Sequence, residues 1–451
     1  MAPPPLSTTA LAAAPVNALL AAIDMGYGHL RAAYALASAL DLPVRAADEP
    51  ALADEAERKQ WARVRAFYEL ISRASQVPVL GSPFDWALGA ITSIPGLYPR
   101  RDQSAPTMAV RYLARNARRG LGRGLVEHLR RSGEALLTTF YAPAVVADLA
   151  GCEHVFCVVT DSDINRIWAP PDGPRTRIHF LCPGYRAVRR LRSYGVPAAQ
   201  ITFTGFPLPP ELLGGRDLPV LKHNLAARLR RLDPRGTFRD MHGDDVDHFL
   251  GLAAPPGTPA PPLVTFAVGG AGAQAGLPRR FLPGFRAPLA EGKLRLTLVA
   301  GVRSDVADHF QRAVEEAQLG GELGRGLQIL LAPDIPSYFR QFNELLAATD
   351  VLWTKPSELT FFGALGLPLL FAAPVGLHEK YNRRWAREAG AGLKQREPEA
   401  VAERLLDFLE EGTLAGAAWS GYMRLPKFGT YRIADQVRAV TEGRAVDGNG
   451  Q

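Results

Sequence analysis

The amino-acid sequence predicts an α/β protein built from two Rossmann-like halves, each a parallel sheet covered by helices. Short apolar runs ending in Gly, Pro or Asp alternate with helical patterns along the chain, as βαβ units require. Each half opens with a strand, a glycine-rich turn and a helix. The length of 451 residues suits two or three domains, and 47% hydrophobic with 22% charged residues is a globular balance. That balance excludes collagen-like, coiled-coil and wholly disordered classes.

In the first half the expected buried strands are 16–24, 135–139, 154–160, 178–181 and 201–204, with a helical pattern over 31–40. The N-terminus resembles a signal peptide only superficially. It lacks a basic start, and its apolar part runs into an acidic, glycine-rich turn, so 16–24 reads as the first strand. An irregular stretch, 76–106, mixes Phe84, Trp86, Ile91, Ile94, Leu97 and Tyr98 with turn residues. It is followed by an arginine-rich stretch. Between Arg100 and Arg131 nine arginines face only Asp102 and Glu127, which equals the +7 of the whole chain. Arginines beside exposed apolar residues can meet an anionic membrane, or they can be the solvated face of helices over a core. No aromatic-and-basic RNA motif accompanies them, so nucleic acid is not expected.

The second half repeats the pattern with strands 263–268, 294–300, 327–331, 350–353 and 368–372, and helices near 304–317 and 380–389. Between the halves, 211–262 carries a charged helical piece and then a proline run, and reads as a linker or insertion. The expected division is 1–210, the linker 211–262, 263–430, and a return segment with tail from 431. Cys152, Cys157 and Cys182 are too few for a disulfide framework or a four-ligand zinc site and suit a reducing, cytoplasmic compartment. No run reaches the roughly 18 apolar residues of a transmembrane helix.

Four segments at strand ends can carry chemistry. The first is Asp24-Met25-Gly26-Tyr27-Gly28-His29, where glycines let the chain turn from strand to helix and His29 reaches the carboxyl edge of the sheet. An imidazole there can act as a general base near neutral pH, or simply cap the helix. The second is 269–276, in which Gly269, Gly270, Gly272 and Gly276 expose backbone N–H groups able to cradle phosphates. No Gly-Lys-Ser/Thr follows, so it is not a Walker A loop. The third runs from Thr160-Asp161-Ser162-Asp163 to Trp168 and Pro170. Asp161 and Asp163 could chelate Mg²⁺, flank a substrate hydroxyl or lie solvated; a substrate-facing Asp161 is favoured and no metal is expected. The fourth is Lys355-Pro356-Ser357-Glu358-Leu359-Thr360, continued by His378-Glu379-Lys380-Tyr381-Asn382. A strand-end lysine with hydroxyls suits phosphate, and carboxylates suit ribose hydroxyls.

In this order the motifs resemble the GT-B glycosyltransferases. The branch is that of the monogalactosyldiacylglycerol synthases, diacylglycerol glucosyltransferases and the peptidoglycan N-acetylglucosaminyltransferase. The resemblance rests on Gly26–Ala33, on Thr160-Asp161 through Trp168, on Thr204-Gly205-Phe206-Pro207-Leu208-Pro209, on Gly269–Gly272 and on Ala347–Pro368 with Glu379–Asn382. It implies two Rossmann-like domains facing across a cleft, acceptor in the first and nucleotide-sugar, a UDP-sugar first of all, in the second. It also implies no bound metal or cofactor. His29 and Asp161 would be the catalytic groups, and Gly26, Gly28 and Trp168 would face the acceptor. Gly269, Gly270, Gly272, Lys355, Ser357, Glu358, Thr360, His378, Glu379 and Asn382 would face the donor. Residues 423–437 would return onto the first domain.

The chain departs from the family pattern at several points. Gly363 falls where a ribose-gripping glutamate usually follows the lysine motif, and Glu358 takes a position normally glycine. The following helix is about two residues short, and His378 replaces the usual glutamine. The reading is an inverting, metal-independent transferase acting on a lipid or lipid-linked acceptor, peripheral at the inner face of the membrane. A GT-B epimerase or hydrolase using water, and a scaffold that binds without turnover, are the alternatives.

Overall fold

The computed structural model describes residues 16–74, 94–251, 259–269, 272, 274–374 and 376–444, without the side chains of 67–74 and 377. The first sheet holds β1 (Ala18–Ala22), β2 (Val44–Ala46), β3 (Ala135–Thr138), β4 (Val155–Val158), β5 (Ile178–Cys182) and β6 (Ile201–Phe203). Its order is β2-β1-β3-β4-β5-β6. The second holds β7 (Leu263–Ala267), β8 (Arg295–Gly301), β9 (Leu327–Leu331), β10 (Val351–Thr354), β11 (Leu369–Phe371) and β12 (Gly392–Lys394), in the order β12-β11-β10-β7-β8-β9. Each pairing is parallel.

Strands β1, β3, β4, β7 and β10 are buried at every residue. Helices cover both faces of such sheets, which is why these strands read as unbroken apolar runs. The edge strands β2 and β12 were not expected. Each has three residues, and Arg45 and Lys394 are exposed, so neither leaves an apolar run. Strand order reverses between β1 and β3 and again between β7 and β10. Ligands bind open α/β sheets at such reversals, beyond the carboxyl ends of the strands.

The stretch 211–262 holds packed helices, not only a linker. Leu221, Leu225, Leu229 and Leu232 form one apolar stripe of the helix Pro219–Leu232, buried in the core of the second domain. From the same helix Arg228, wholly buried, donates to the carbonyls of Thr349 at 2.8 Å and Leu365 at 2.9 Å. Those carbonyls end a helix and a 3-10 run, where free acceptors and negative dipole ends favour a cation.

The chain crosses between domains twice, and the crossings touch. Gly205, at φ 93°, lies where a Cβ would meet Pro426 at 2.9 Å. A Cβ on Gly429 would fall 2.1 Å from the Phe206 carbonyl oxygen, and the Thr430 hydroxyl donates to the carbonyl of Leu208. The helix Gly429–Thr441 then packs Ile433, Ala434 and Val437 against Leu20, Leu36 and Leu137 of the first domain.

The arginine-rich stretch forms the helices Met108–Arg118 and Arg123–Ser132. Val110, Leu113, Leu125 and Leu129 point inward, while Arg111, Arg115, Arg118, Arg119, Arg130 and Arg131 are exposed. Ile94 and Leu97 are buried and Tyr98 is exposed; Phe84, Trp86 and Ile91 lie outside the described residues. Among the described residues no helix is long and apolar enough to cross a membrane.

Candidate active site

The first reversal is occupied by His29. Gly26 caps the helix Tyr27–Leu40 with φ 116°, a conformation glycine adopts without penalty, and places His29 in the first turn. The His29 Nδ1 lies 2.7 Å from the carbonyl oxygen of Thr139, just past β3, so that nitrogen carries the proton and donates it. Thr160 Oγ1 lies 3.2 Å from the same nitrogen, and the Thr139 hydroxyl donates to the His29 carbonyl at 2.9 Å. The ring is held edge-on to Phe140, and Trp168 stands 6.2 Å away. Nε2 is therefore left as the proton acceptor of a fixed tautomer. Burial pushes the imidazole below its usual pKa, against the Thr139 carbonyl and the carboxylates of Asp161 and Glu358, which favour the charged form. His29 is thus held as neutral imidazole at neutral pH.

The second reversal joins Gly269, after β7, to Lys355, after β10. A Cβ at Gly269 would fall 2.3 Å from Lys355 Cε, so any side chain there would push the lysine aside. Lys355 Nζ donates to Glu379 Oε1 at 2.7 Å, and Glu379 is buried. Three residues along the same helix, Asn382 reaches the first domain. Its amide donates to Asp161 Oδ1 at 3.1 Å, and its oxygen accepts from the Ser162 N–H at 2.9 Å. Both strand-end loops are therefore brought to one crevice.

A third contact spans the domains. Arg31, one turn from Gly28, is 2% exposed and sits over Tyr338, Phe339, Phe342 and Phe362, its guanidinium 4.6 to 5.6 Å from the ring centres. It donates to the Tyr338 hydroxyl at 3.3 Å and lies 3.5 Å from Glu358 Oε1. Glu358 in turn packs so closely on Gly28 that a Cβ there would stand 3.3 Å from its own Cβ. Glu358, expected on the donor, is thus engaged by the first domain beside His29. Arg31 was not singled out in the sequence, because a lone arginine on an alanine-rich helix gives no signal until its aromatic partners are known.

The other expected residues are placed as follows. Asp163 is fully buried and accepts from Arg186 Nε at 2.6 Å and Arg190 Nε at 2.8 Å, so its oxygens serve these arginines, not a metal. Trp168 is buried against Tyr141, behind His29. Thr360 is buried, and its hydroxyl has no hydrogen-bond partner among the described residues. Ser357 is half-buried and turns the backbone, its N–H donating to the Lys355 carbonyl at 2.8 Å. His378 folds back over Gly376, where a Cβ would meet its ring at 2.7 Å, and it acts electrostatically on His29. Gly272, at φ 65°, lies against Arg303 beyond β8, and Gly270 is outside the described residues.

Two departures noted in the sequence acquire a physical cause. Residues Glu358–Leu365 wind as a 3-10 helix. At a rise of about 2.0 Å against about 1.5 Å per residue, eight residues cover the length of ten or eleven in an α-helix, which offsets the two-residue shortfall. Gly363 faces Leu369, Ala391 and Leu425 in the core, with a Cβ only 3.0 Å from Leu425. No glutamate fits there, and the position does not border the crevice.

A model named "Domain of unknown function (DUF6938)" matches residues 314–440. No curated protein matches the chain. Among solved structures, a Listeria monocytogenes protein assigned as a UDP-N-acetylglucosamine 2-epimerase is 12% identical, with a TM-score of 0.50 over 95% of this chain and 98% of that one. MurG of Acinetobacter baumannii is 14% identical, with a TM-score of 0.48 over 93% and 99%. MnaA of S. aureus, solved with UDP, is 11% identical, with a TM-score of 0.47 over 94% and 96%. The fold of the chain is GT-B, with two Rossmann-like domains facing across a cleft.

Proposed function

We propose that this GT-B chain is an inverting, metal-independent glycosyltransferase that moves a sugar from a nucleotide donor, a UDP-sugar first of all, to the hydroxyl of a lipid or lipid-linked acceptor. The observation that carries the reading is His29, a buried neutral imidazole whose Nδ1–H is committed to the Thr139 carbonyl. Such a ring offers Nε2 as a base at neutral pH. The base removes the acceptor proton, the acceptor oxygen attacks the anomeric carbon, and the bond to the diphosphate oxygen breaks with its electrons on that oxygen. One displacement inverts the anomeric centre. Charge on the leaving diphosphate falls to backbone N–H groups of the glycine-rich loop after β7 and to Lys355. Asp161, tied to Asn382, orients the acceptor side. The exposed arginines of 108–131, with Met108 and Tyr98 exposed near them, support a peripheral meeting with anionic lipid.

UDP-sugar chemistry enters from the fold of the Listeria protein. The test is incubation with UDP-, GDP-, ADP- and dTDP-sugars, with and without lipid acceptors, using wild type and His29→Ala. Sugar transfer lost in the variant, with UDP binding kept, supports the reading. Full activity in His29→Ala removes the base. An epimerised or hydrolysed donor without acceptor dependence replaces the transferase by the epimerase or hydrolase.

A further inference from the structure

A groove of about 1280 Å³ runs beside the edge strand β6, between the helices Tyr185–Ser193 and Gly429–Thr441 and the loop 97–102. Five arginines line it. Arg100 and Arg101 come from the loop, Arg189 and Arg192 from the first helix, and Arg432 from the second. They are far apart in sequence, so the topology, not a local charge run, gathers them. Among the described residues none of the five has a carboxylate within ion-pair distance. Both acids of the groove are already engaged: Asp435 accepts from Arg216 at 2.7 Å, and Asp102 accepts from the Ser104 N–H at 2.9 Å. Guanidinium groups outnumber carboxylates five to two along the groove, so like charges repel there, and an anion in the groove lowers that repulsion.

We propose that this groove is a second anion site, separate from the interdomain crevice, for a ligand bearing several phosphates. Guanidinium forks pair two-point with phosphate oxygens, and guanidinium is less strongly hydrated than lysine's ammonium. The volume exceeds that of one phosphate group. Tyr185, 62% exposed and 4.5 Å from the Phe203 ring, provides an aromatic wall for an apolar portion. The helix that carries Arg189 and Arg192 outward holds Asp163 inward through Arg186 and Arg190. The groove is therefore one helix away from the Asp161 loop. This site stands whether or not the chain transfers sugar.

The ligand's phosphates come from a soluble oligophosphate or from a phospholipid headgroup, and two arms separate these. Calorimetry with inorganic tripolyphosphate is run on wild type, Arg189→Glu/Arg192→Glu and Lys355→Met, the last reporting the crevice. Flotation uses vesicles of phosphatidylcholine with and without phosphatidic acid. Thermal melts check that the exposed double variant is folded, and Arg432→Glu serves as an independent single change. The expected result is binding weakened at least tenfold in Arg189→Glu/Arg192→Glu and Arg432→Glu but kept in Lys355→Met, in one arm or both. Loss in the calorimetric arm assigns a soluble ligand, and loss in the vesicle arm alone assigns a lipid headgroup. Unchanged binding in both groove variants, or binding abolished only by Lys355→Met, overturns the site.

Discussion

Replacing Arg31 with methionine tests whether the two domains are joined through its guanidinium. Methionine keeps most of the side-chain volume among Tyr338, Phe339, Phe342 and Phe362 but removes the charge. Glu358, whose side chain is 10% exposed, then stays in the interface without its cation. Breaking a buried pair from one side costs about 3–5 kcal/mol, because the remaining charge is uncompensated. The loss of cation attraction to four rings acts in the same direction. In Arg31→Met/Glu358→Gln the stranded charge is gone, and about 1 kcal/mol or more returns as coupling between the two sites. Urea unfolding, followed by circular dichroism and by tryptophan fluorescence, measures both variants. If Arg31→Met unfolds within about 0.5 kcal/mol of wild type, the range of ordinary surface changes, the interface does not depend on this residue.

Other outcomes follow from the same geometry. His29 is held below its usual imidazole pKa, so the unfolded chain takes up the proton first as pH falls. Its contribution to stability is complete above about 6.5 and is lost as pH drops through the lower native value, at no more than ~1.4 kcal/mol per pH unit. Unfolding of wild type and His29→Gln across pH 4.5–8, a range chosen around that imidazole value, compares the two slopes, and parallel curves contradict the assignment. The acid limb of any turnover lies below the ordinary histidine value for the same reason. Asn382→Leu strands the buried Ser162 N–H, at roughly 1–3 kcal/mol, and removes the amide donor from half-buried Asp161, read by thermal or urea unfolding. Gly301→Ala adds a Cβ 2.8 Å from the Tyr27 hydroxyl at φ 74°, and the left-handed backbone alone costs about 1–2 kcal/mol. A loss in thermal or urea unfolding no larger than that backbone cost of about 1–2 kcal/mol shows that Tyr27 does not pack there.

The long, fully buried strands were legible because helices on both faces demand continuous apolar runs. The three-residue edges β2 and β12 leave no such trace. Strand-end placement of His29, Asp161 and Lys355 was legible, since a βα turn sets its residues at the carboxyl edge. Which ends meet was not, because that depends on strand order and on how the sheets face. Asp163 read as a possible ligand beside Asp161; its true partners, Arg186 and Arg190, are one turn apart on a helix more than twenty residues on. Aligning by residue count placed a ribose carboxylate at Gly363, a count that fails once 358–365 winds with a longer rise. Glu358 and Arg31 show the same limit, since each has meaning only through the opposite domain.

The contact of Gly205 and Gly429 at the two crossings leaves the halves bound along a single spine. A book so bound keeps its two pages in register, and Arg31 with Glu358 and Asn382 with Asp161 fasten them again away from that line. A side chain at Gly429 would wedge the spine itself, and the page edges would no longer meet.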